Sequence, residues 1–234
     1  MEAQIAVRKI GKYATSESGD TLEMVERPAG GLSFVLVDGQ RSGKAAKSIS
    51  NVVARKAISL LAEGVRDGAA ARAASDYLYT YRAGKVLATL NILSIDLNTQ
   101  SMVIVRNNPA PVILIQEGEL RSLDAPCYVV GTRRNIRPEI EEIPLQAGLG
   151  VVVYSDGLVH AGDRYGRPMD VATLVQSLFD QGPQDAGSWA DRLMQHALDL
   201  DQNRPSDDIS VLVARICAET ESDVRHLDVR VPLS

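Results

Sequence analysis

Two segments of the sequence end alike, with an acidic residue and a glycine after an apolar run. VLVDG occupies positions 35–39 and VVYSDG occupies positions 152–157. Runs of Val, Leu and Tyr are typical of a strand, so Asp38 and Asp156 stand where strands end. A single Asp-Gly pair is most often only a turn. The repetition of the pattern indicates carboxylates at the edge of a sheet.

Further acidic residues flank other predicted strands. Asp20, in SESGDT, precedes one strand, and Asp207 and Asp208, in RPSDDISVLV, precede the last one. Carboxylates that meet at ~4 Å repel by about 4 kcal/mol per pair at an effective dielectric constant near 20, and a divalent cation removes that repulsion. Oxygen ligands without His or Cys favour Mg²⁺ or Mn²⁺ over Zn²⁺. The Gly39 carbonyl is a further candidate ligand.

The segment SFVLVDGQRSGKAAKS, residues 33–48, also has the outline of a phosphate-binding P-loop. That loop requires G-x-x-x-x-G-K-[ST] between a strand and a helix. Here the spacing from Gly39 to Gly43 is one residue short, and Ala45 stands where a hydroxyl would bind magnesium. The P-loop reading also needs a parallel sheet, whereas the strands of this chain indicate hairpins.

Strand-like apolar runs occur along most of the chain. IDLNTQSMVIV and VILIQEGELRSL indicate hairpins, because their connections are too short for parallel neighbours. The predicted strands are 5–10, 32–38, 88–97, 102–107, 112–116, 149–155 and 209–216.

Two helical blocks interrupt these strands. A helix from about Ala45 to Ala62 carries an apolar stripe, and two helices are predicted again between 171 and 200. The second helix of the first block is predicted to bury Ala73, Ala74, Tyr77, Leu78 and Tyr81. Two packed antiparallel sheets with a helix pair on each outer face would bury every stripe. We therefore expect an α+β fold, a four-layer αββα sandwich of two mainly antiparallel sheets flanked by helix pairs, as a single domain over 1–234.

The composition limits which classes of binding partner and which cellular compartment are expected. The chain has 234 residues, a net charge of −5 and 4% aromatic residues, which disfavours nucleic acid as a partner. Its two cysteines are far apart in sequence, so a disulfide framework is not expected. There is no apolar segment of signal-peptide type, nor a run of about 18 apolar residues. We expect a cytoplasmic protein without a membrane span.

Four motifs, SGDT, VDGQRSGKAA, YSDGLVHA and RPSDDISVLV, resemble in order and spacing those of the metal-dependent PPM-type (type 2C) protein serine/threonine phosphatases, in particular the SpoIIE-like branch. The resemblance spans about residues 18–215. It implies an αββα sandwich and a site for two Mn²⁺ or Mg²⁺ ions. By motif position, Asp38 would bridge both ions and Gly39 would offer its carbonyl. The further ligands would be Asp20, Asp156, Asp207 and Asp208, with Asp207 the preferred member of the last pair.

The resemblance also implies a reaction in which a metal-activated water hydrolyses a phosphoserine or phosphothreonine monoester. Arg41 takes the place of a glycine in the usual motif. Its guanidinium either binds phosphate bidentately or is a solvated loop residue. His160 follows Asp156 by four residues, and it is either an acid for the leaving alkoxide or a half-exposed residue at a helix start.

We expect a phosphatase acting on a phosphorylated regulatory protein, and the resemblance suggests STAS-type anti-sigma-factor antagonists as substrates. The alternative is a catalytically silent PPM-fold protein that only binds its partner. Because the helix at 45–62 follows Asp38 after a short loop, helices 45–82 are expected to receive a regulatory partner or a second protomer.

Overall fold

A computed structural model describes residues 1–182, 184–218 and 223–232. Within these ranges, ten strands form pairs that are all antiparallel. They are β1 (Glu2–Ile10), β2 (Thr21–Glu26), β3 (Gly31–Gly39), β4 (Ala88–Asp96), β5 (Ser101–Asn107), β6 (Val112–Gln116), β7 (Glu119–Leu123), β8 (Glu139–Pro144), β9 (Gly150–Tyr154) and β10 (Ile209–Cys217). One sheet has the order β1-β10-β9-β6-β7 and the other has the order β2-β3-β4-β5-β8.

Two long helix pairs cover the outer faces of the sheets. The helices are α1 (Gly43–Ala62), α2 (Asp67–Arg82), α3 (Asp156–Val159), α4 (Val171–Asp180) and α5 (Ala186–Leu200). The pair α1–α2 packs on the β2–β8 sheet, and the pair α4–α5 packs on the β1–β7 sheet. The predicted four-layer αββα architecture is confirmed. In the described ranges, no helix combines the length and the apolar composition needed to cross a bilayer.

Strand β3 shows why the apolar run before Asp38 is continuous rather than alternating. Its even-numbered residues, Phe34 and Leu36, face the core between the two sheets. Its odd-numbered residues, Val35 and Val37, face the core beneath α1 and α2. Since successive side chains of a strand point to opposite faces, a central strand of this sandwich needs apolar residues at every position.

The predicted buried face of α2 is wrong in part. Tyr77 and Tyr81 are 46% and 57% exposed, and their rings stack on each other with centroids 6.1 Å apart. The buried apolar residues of this helix are Ala70, Ala71, Ala74 and Leu78. Alanines fill most positions from 69 to 74, so they mark more than one face of the helix. An amphipathic tyrosine is a weak guide to which face is buried.

Strands β2 and β8 were not predicted from the sequence. They form the two edges of their sheet, and their sequences TLEMVE and EIEEIP place glutamates among the apolar residues. Edge strands expose part of their surface to solvent, and charged side chains there discourage pairing with other chains. The apolar run that identifies a central strand is therefore missing.

Candidate active site

A cleft of about 300 Å³ opens at the end of the sandwich where β3 and β9 end and β10 begins. Its walls carry three acidic side chains, those of Asp38, Asp156 and Asp207. They also carry two basic side chains, those of Lys12 and Arg41. The cleft therefore combines clustered negative charge with two cations on its walls.

The strand pairing explains why the acidic residues meet. Asp38 lies near the end of β3, and Asp156 follows β9 after one residue. Because β9 and β10 are antiparallel, with Tyr154 opposite Val211, the end of β9 lies beside the start of β10, which Asp207 precedes. The two sheets thus present their carboxylates at one end of the sandwich, as the position of these residues at strand ends predicts.

Asp38 is the most strongly perturbed group in this cluster. Burial raises the pKa of its carboxyl group, and the negative charges of Asp20, Asp156 and Asp207 raise it further, to about 9. The carboxyl groups of Asp20, Asp156 and Asp207 therefore lie close enough to Asp38 to raise its pKa. These carboxylates therefore resist being ionised together unless a cation offsets their charge.

Asp20 lies behind the cleft wall, just before β2, and its side chain is fully buried. Its Oδ2 accepts a hydrogen bond of 2.6 Å from the Ser210 hydroxyl, whereas its Oδ1 has no hydrogen-bond partner. Burial is the main reason that the pKa of Asp20 rises to about 6. A buried carboxylate oxygen without a partner is costly, and it is a free donor atom for a cation.

The residues fit a hard divalent cation in donor type, charge and burial. All the candidate donors are oxygens, which Mg²⁺ and Mn²⁺ prefer. Among the described residues, no three His, Cys, Asp or Glu side chains already surround one point as metal ligands would. Binding an ion therefore requires the side chains of Asp38, Asp156 and Asp207 to reorient.

Asp208 has a different set of partners from its neighbour Asp207. It is 4% exposed, its Oδ1 accepts a hydrogen bond of 2.9 Å from the backbone N–H of Lys12, and its Oδ2 accepts one of 2.8 Å from that of Gly19. Both carboxylate oxygens thus hold backbone segments in place. A role as a metal ligand would compete with these bonds, which leaves Asp207 as the better candidate of the pair.

The two glycines that follow the site aspartates allow close packing of backbone. A Cβ atom on Gly39 would lie 2.1 Å from the carbonyl oxygen of Ala46, in the first turns of α1. A Cβ atom on Gly157 would lie 2.1 Å from the carbonyl oxygen of Asp208. From the sequence, only the carbonyl of Gly39 was predicted to approach an ion. In the structure, both glycines join the segments that carry the site.

Three further polar residues lie at or near the cleft. Arg41 is exposed on the cleft wall and has a left-handed backbone with φ of 76°. Lys12 was missed because its local sequence is unremarkable, and only the pairing of β1 with β10 brings it beside Asp207. His160 is exposed, and its Nδ1 lies 2.8 Å from Oδ2 of Asp163.

Comparison with protein families gives one extensive match. A family model described as Stage II sporulation protein E (SpoIIE) matches residues 28–217, which include all the site positions except Lys12 and Asp20. Comparison of the sequence with curated proteins gives no match.

Several solved structures share the fold at low identity. The PP2C phosphatase domain of SpoIIE from Bacillus subtilis, with a fragment of its regulatory domain, is 21% identical, with a TM-score of 0.78 over 94% of this chain. This chain spans 64% of that structure's length. The catalytic domain of the serine/threonine phosphatase PstP, in complex with two manganese ions, is 18% identical, with a TM-score of 0.68 over 92% of this chain and 98% of that one.

A third similar structure comprises the RsbU and RsbW domains of a Mycobacterium tuberculosis protein. It is 19% identical, with a TM-score of 0.73 over 93% of this chain and 61% of that one. At such identities the likeness establishes the αββα fold alone.

Proposed function

Because the chain belongs to the SpoIIE family of PP2C-type phosphatases, we propose that it is a metal-dependent protein serine/threonine phosphatase acting on a phosphorylated regulatory protein. The observation that carries the proposal is the cleft in which Asp38, Asp156 and Asp207 crowd together. Burial, followed by the charges of Asp20, Asp156 and Asp207, raises the pKa of Asp38 to about 9, as expected where a cation belongs.

In this proposal Asp38, Asp156 and Asp207 hold the metal, and Asp20 and the Gly39 carbonyl supply further oxygen donors. When bound, two Mn²⁺ or Mg²⁺ ions would supply an activated water and offset the charge of the phosphate. PstP, which shares the fold, binds two manganese ions in its solved structure. The donor set of this chain has the composition that such ions prefer.

The cationic residues of the cleft wall would act on the substrate rather than on the metal. A phosphomonoester is a dianion, and the carboxylates repel it until their charge is offset. Arg41 and Lys12 lie on the same cleft, where their charges attract the phosphate. The planar guanidinium of Arg41 suits a bidentate contact with two phosphate oxygens.

Phosphatase activity is tested directly with p-nitrophenyl phosphate and with a phosphoserine peptide. We expect turnover in Mn²⁺ or Mg²⁺, loss of turnover in excess chelator, and recovery when metal is restored. Unchanged turnover in chelator would rule out the metal mechanism. Absence of turnover with every divalent metal, in a protein that still binds a partner, would favour the catalytically silent alternative.

Replacement of Arg41 by Ala tests its contact with substrate. We expect the KM for the phosphoserine peptide to rise about tenfold, or kcat to fall by that factor if the contact forms only in the transition state. Mn²⁺ affinity should stay as in the wild type. Lys44→Ala is the matched control, since Lys44 is exposed and lies three residues further along the chain. Wild-type kinetics for Arg41→Ala would make Arg41 a solvated loop residue.

The proposed substrate is a phosphorylated STAS-type anti-sigma-factor antagonist, and the proposed site of control is the α1–α2 pair. Support for the second point comes from the packing of Gly39 against Ala46, which ties the start of α1 to the metal-binding loop. The outer surface of this pair exposes Arg55 and Arg72 together with the tyrosine stack. A regulatory partner or second protomer bound there would be in contact with the element that supports Asp38.

A further inference from the structure

We propose that Lys47 is a built-in cation of the metal centre, one that balances the carboxylate charge when no metal is bound and lowers the affinity for divalent ions. This inference rests on the proposed function only in taking the acidic cleft as a metal centre. It assigns to Lys47 a role in setting metal affinity that is separate from ligation and from contact with substrate.

The ammonium group of Lys47 reaches the backbone of a proposed ligand. Its Nζ donates a hydrogen bond of 2.7 Å to the carbonyl oxygen of Asp20 and one of 3.0 Å to Oγ1 of Thr21. The Asp20 carboxyl lies on the same, fully buried residue. Lys47 therefore brings a positive charge from α1 to the back wall of the acidic cluster.

A second ammonium group meets the same atom. The Nζ of Lys9, on β1, donates a hydrogen bond of 2.5 Å to the Asp20 carbonyl oxygen. A carbonyl oxygen has two lone pairs and can accept both bonds, yet two neighbouring ammonium groups repel each other. Burial and the charge of Lys47 lower the pKa of Lys9 to about 8, and the carboxylates of Asp20 and Asp208 oppose this shift by supplying negative charge.

The presence of Lys9 makes the charge of Lys47 separable from its hydrogen bond. When Lys47 loses its ammonium group, Lys9 still bonds to the Asp20 carbonyl, so the backbone of Asp20 stays in place. The hydrogen bond to Oγ1 of Thr21 is lost as well, but that hydroxyl keeps its bonds to Ser50 and Asn51. The main change is therefore the loss of one positive charge near the Asp20 carboxyl group. A divalent cation then binds more tightly, because the like charge that opposed it is gone.

The test is Lys47→Met, which keeps the length of the side chain and removes its charge. We expect Mn²⁺ affinity, measured by titration calorimetry, to increase about three- to tenfold. The metal-free protein should melt at a lower temperature than the wild type, and the upward shift produced by Mn²⁺ should be larger. Lys47→Arg keeps the charge and should restore wild-type affinity. Lys44→Met, in the preceding turn of α1, is the control for loss of a helix charge.

Two results for the Lys47→Met variant would overturn the inference. If Lys47→Met lowers the melting temperature equally with and without Mn²⁺ and leaves the affinity unchanged, Lys47 only supports the fold. If the affinity falls, the lysine positions Asp20 for binding instead of opposing the ion. Because neither measurement uses substrate, an inactive protein that binds Mn²⁺ would contradict the proposed function without touching this inference. A wild type that binds no Mn²⁺ would overturn both.

Discussion

Asp38→Asn is expected to reduce turnover by about a hundredfold or more while stabilising the metal-free protein. Asn keeps the size of the side chain and one of its oxygens but removes the negative charge that would hold the ions. The loss in activity should be of the order seen when one electrostatic partner of a transition state is removed. Phosphopeptide hydrolysis in saturating Mn²⁺ measures it.

The gain in stability has a separate cause. Folding raises the pKa of Asp38 from 3.8 to about 9 through burial and three neighbouring carboxylates. A raised carboxyl pKa reduces stability at pH values above the unfolded pKa, so the wild type without metal carries a penalty at neutral pH that Asn lacks. The advantage of the Asn variant should shrink as the pH falls towards 4.

Thermal melting in chelator and in Mn²⁺ measures this second effect. The wild type should show an upward shift in Mn²⁺ that Asp38→Asn lacks, since an ion that binds only the folded state stabilises it. Asp163→Asn is the control, because Asp163 is an exposed acid close in sequence to Asp156 that pairs with His160. An equal Mn²⁺ shift in wild type and Asp38→Asn would place the ion elsewhere.

Gly39→Ala is expected to destabilise the protein by about 1–3 kcal/mol, the usual effect of overpacking. The new methyl group would lie 2.1 Å from the Ala46 carbonyl oxygen, and backbone on both sides limits relaxation. Displacement of α1 should also weaken Mn²⁺ binding, since Gly39 adjoins Asp38.

Gly150→Ala is the matched control for this substitution, because Gly150 is also a buried strand glycine. Its added methyl group would make only ordinary contacts, the nearest at 3.7 Å from Cβ of Ile115. Chemical denaturation of both variants in chelator and in Mn²⁺ separates the effects. If the two variants lose the same stability and both keep wild-type Mn²⁺ affinity, the close packing of Gly39 on α1 has no bearing on the site.

Central strands and helix pairs could be read from the sequence because each buries apolar residues at a regular spacing. Strand β3 is buried on both faces and appears as a continuous apolar run. The edge strands β2 and β8 could not be found in this way, since their glutamates face solvent. The face of α2 was misjudged where alanines left the pattern ambiguous and exposed tyrosines were counted as core.

The site residues that could be predicted are those whose local sequence identifies the end of a strand. Asp38 and Asp156 end apolar strands, so their convergence follows from the packing of two sheets. Other features of the site depend on contacts between distant segments. These are the hydrogen-bond partners of Asp208, the position of Lys12 and the contact of Lys47 with Asp20. No local pattern encodes such contacts.

The most direct test of the metal centre is anomalous diffraction from crystals grown with Mn²⁺. We expect two manganese ions in the cleft, with Asp38 bound to both and Asp156 and Asp207 among the other ligands. Asp208 should keep its hydrogen bonds to the backbone of Lys12 and Gly19. Manganese bound only outside this cleft, in a protein whose turnover requires Mn²⁺, would show that these carboxylates do not form the metal centre.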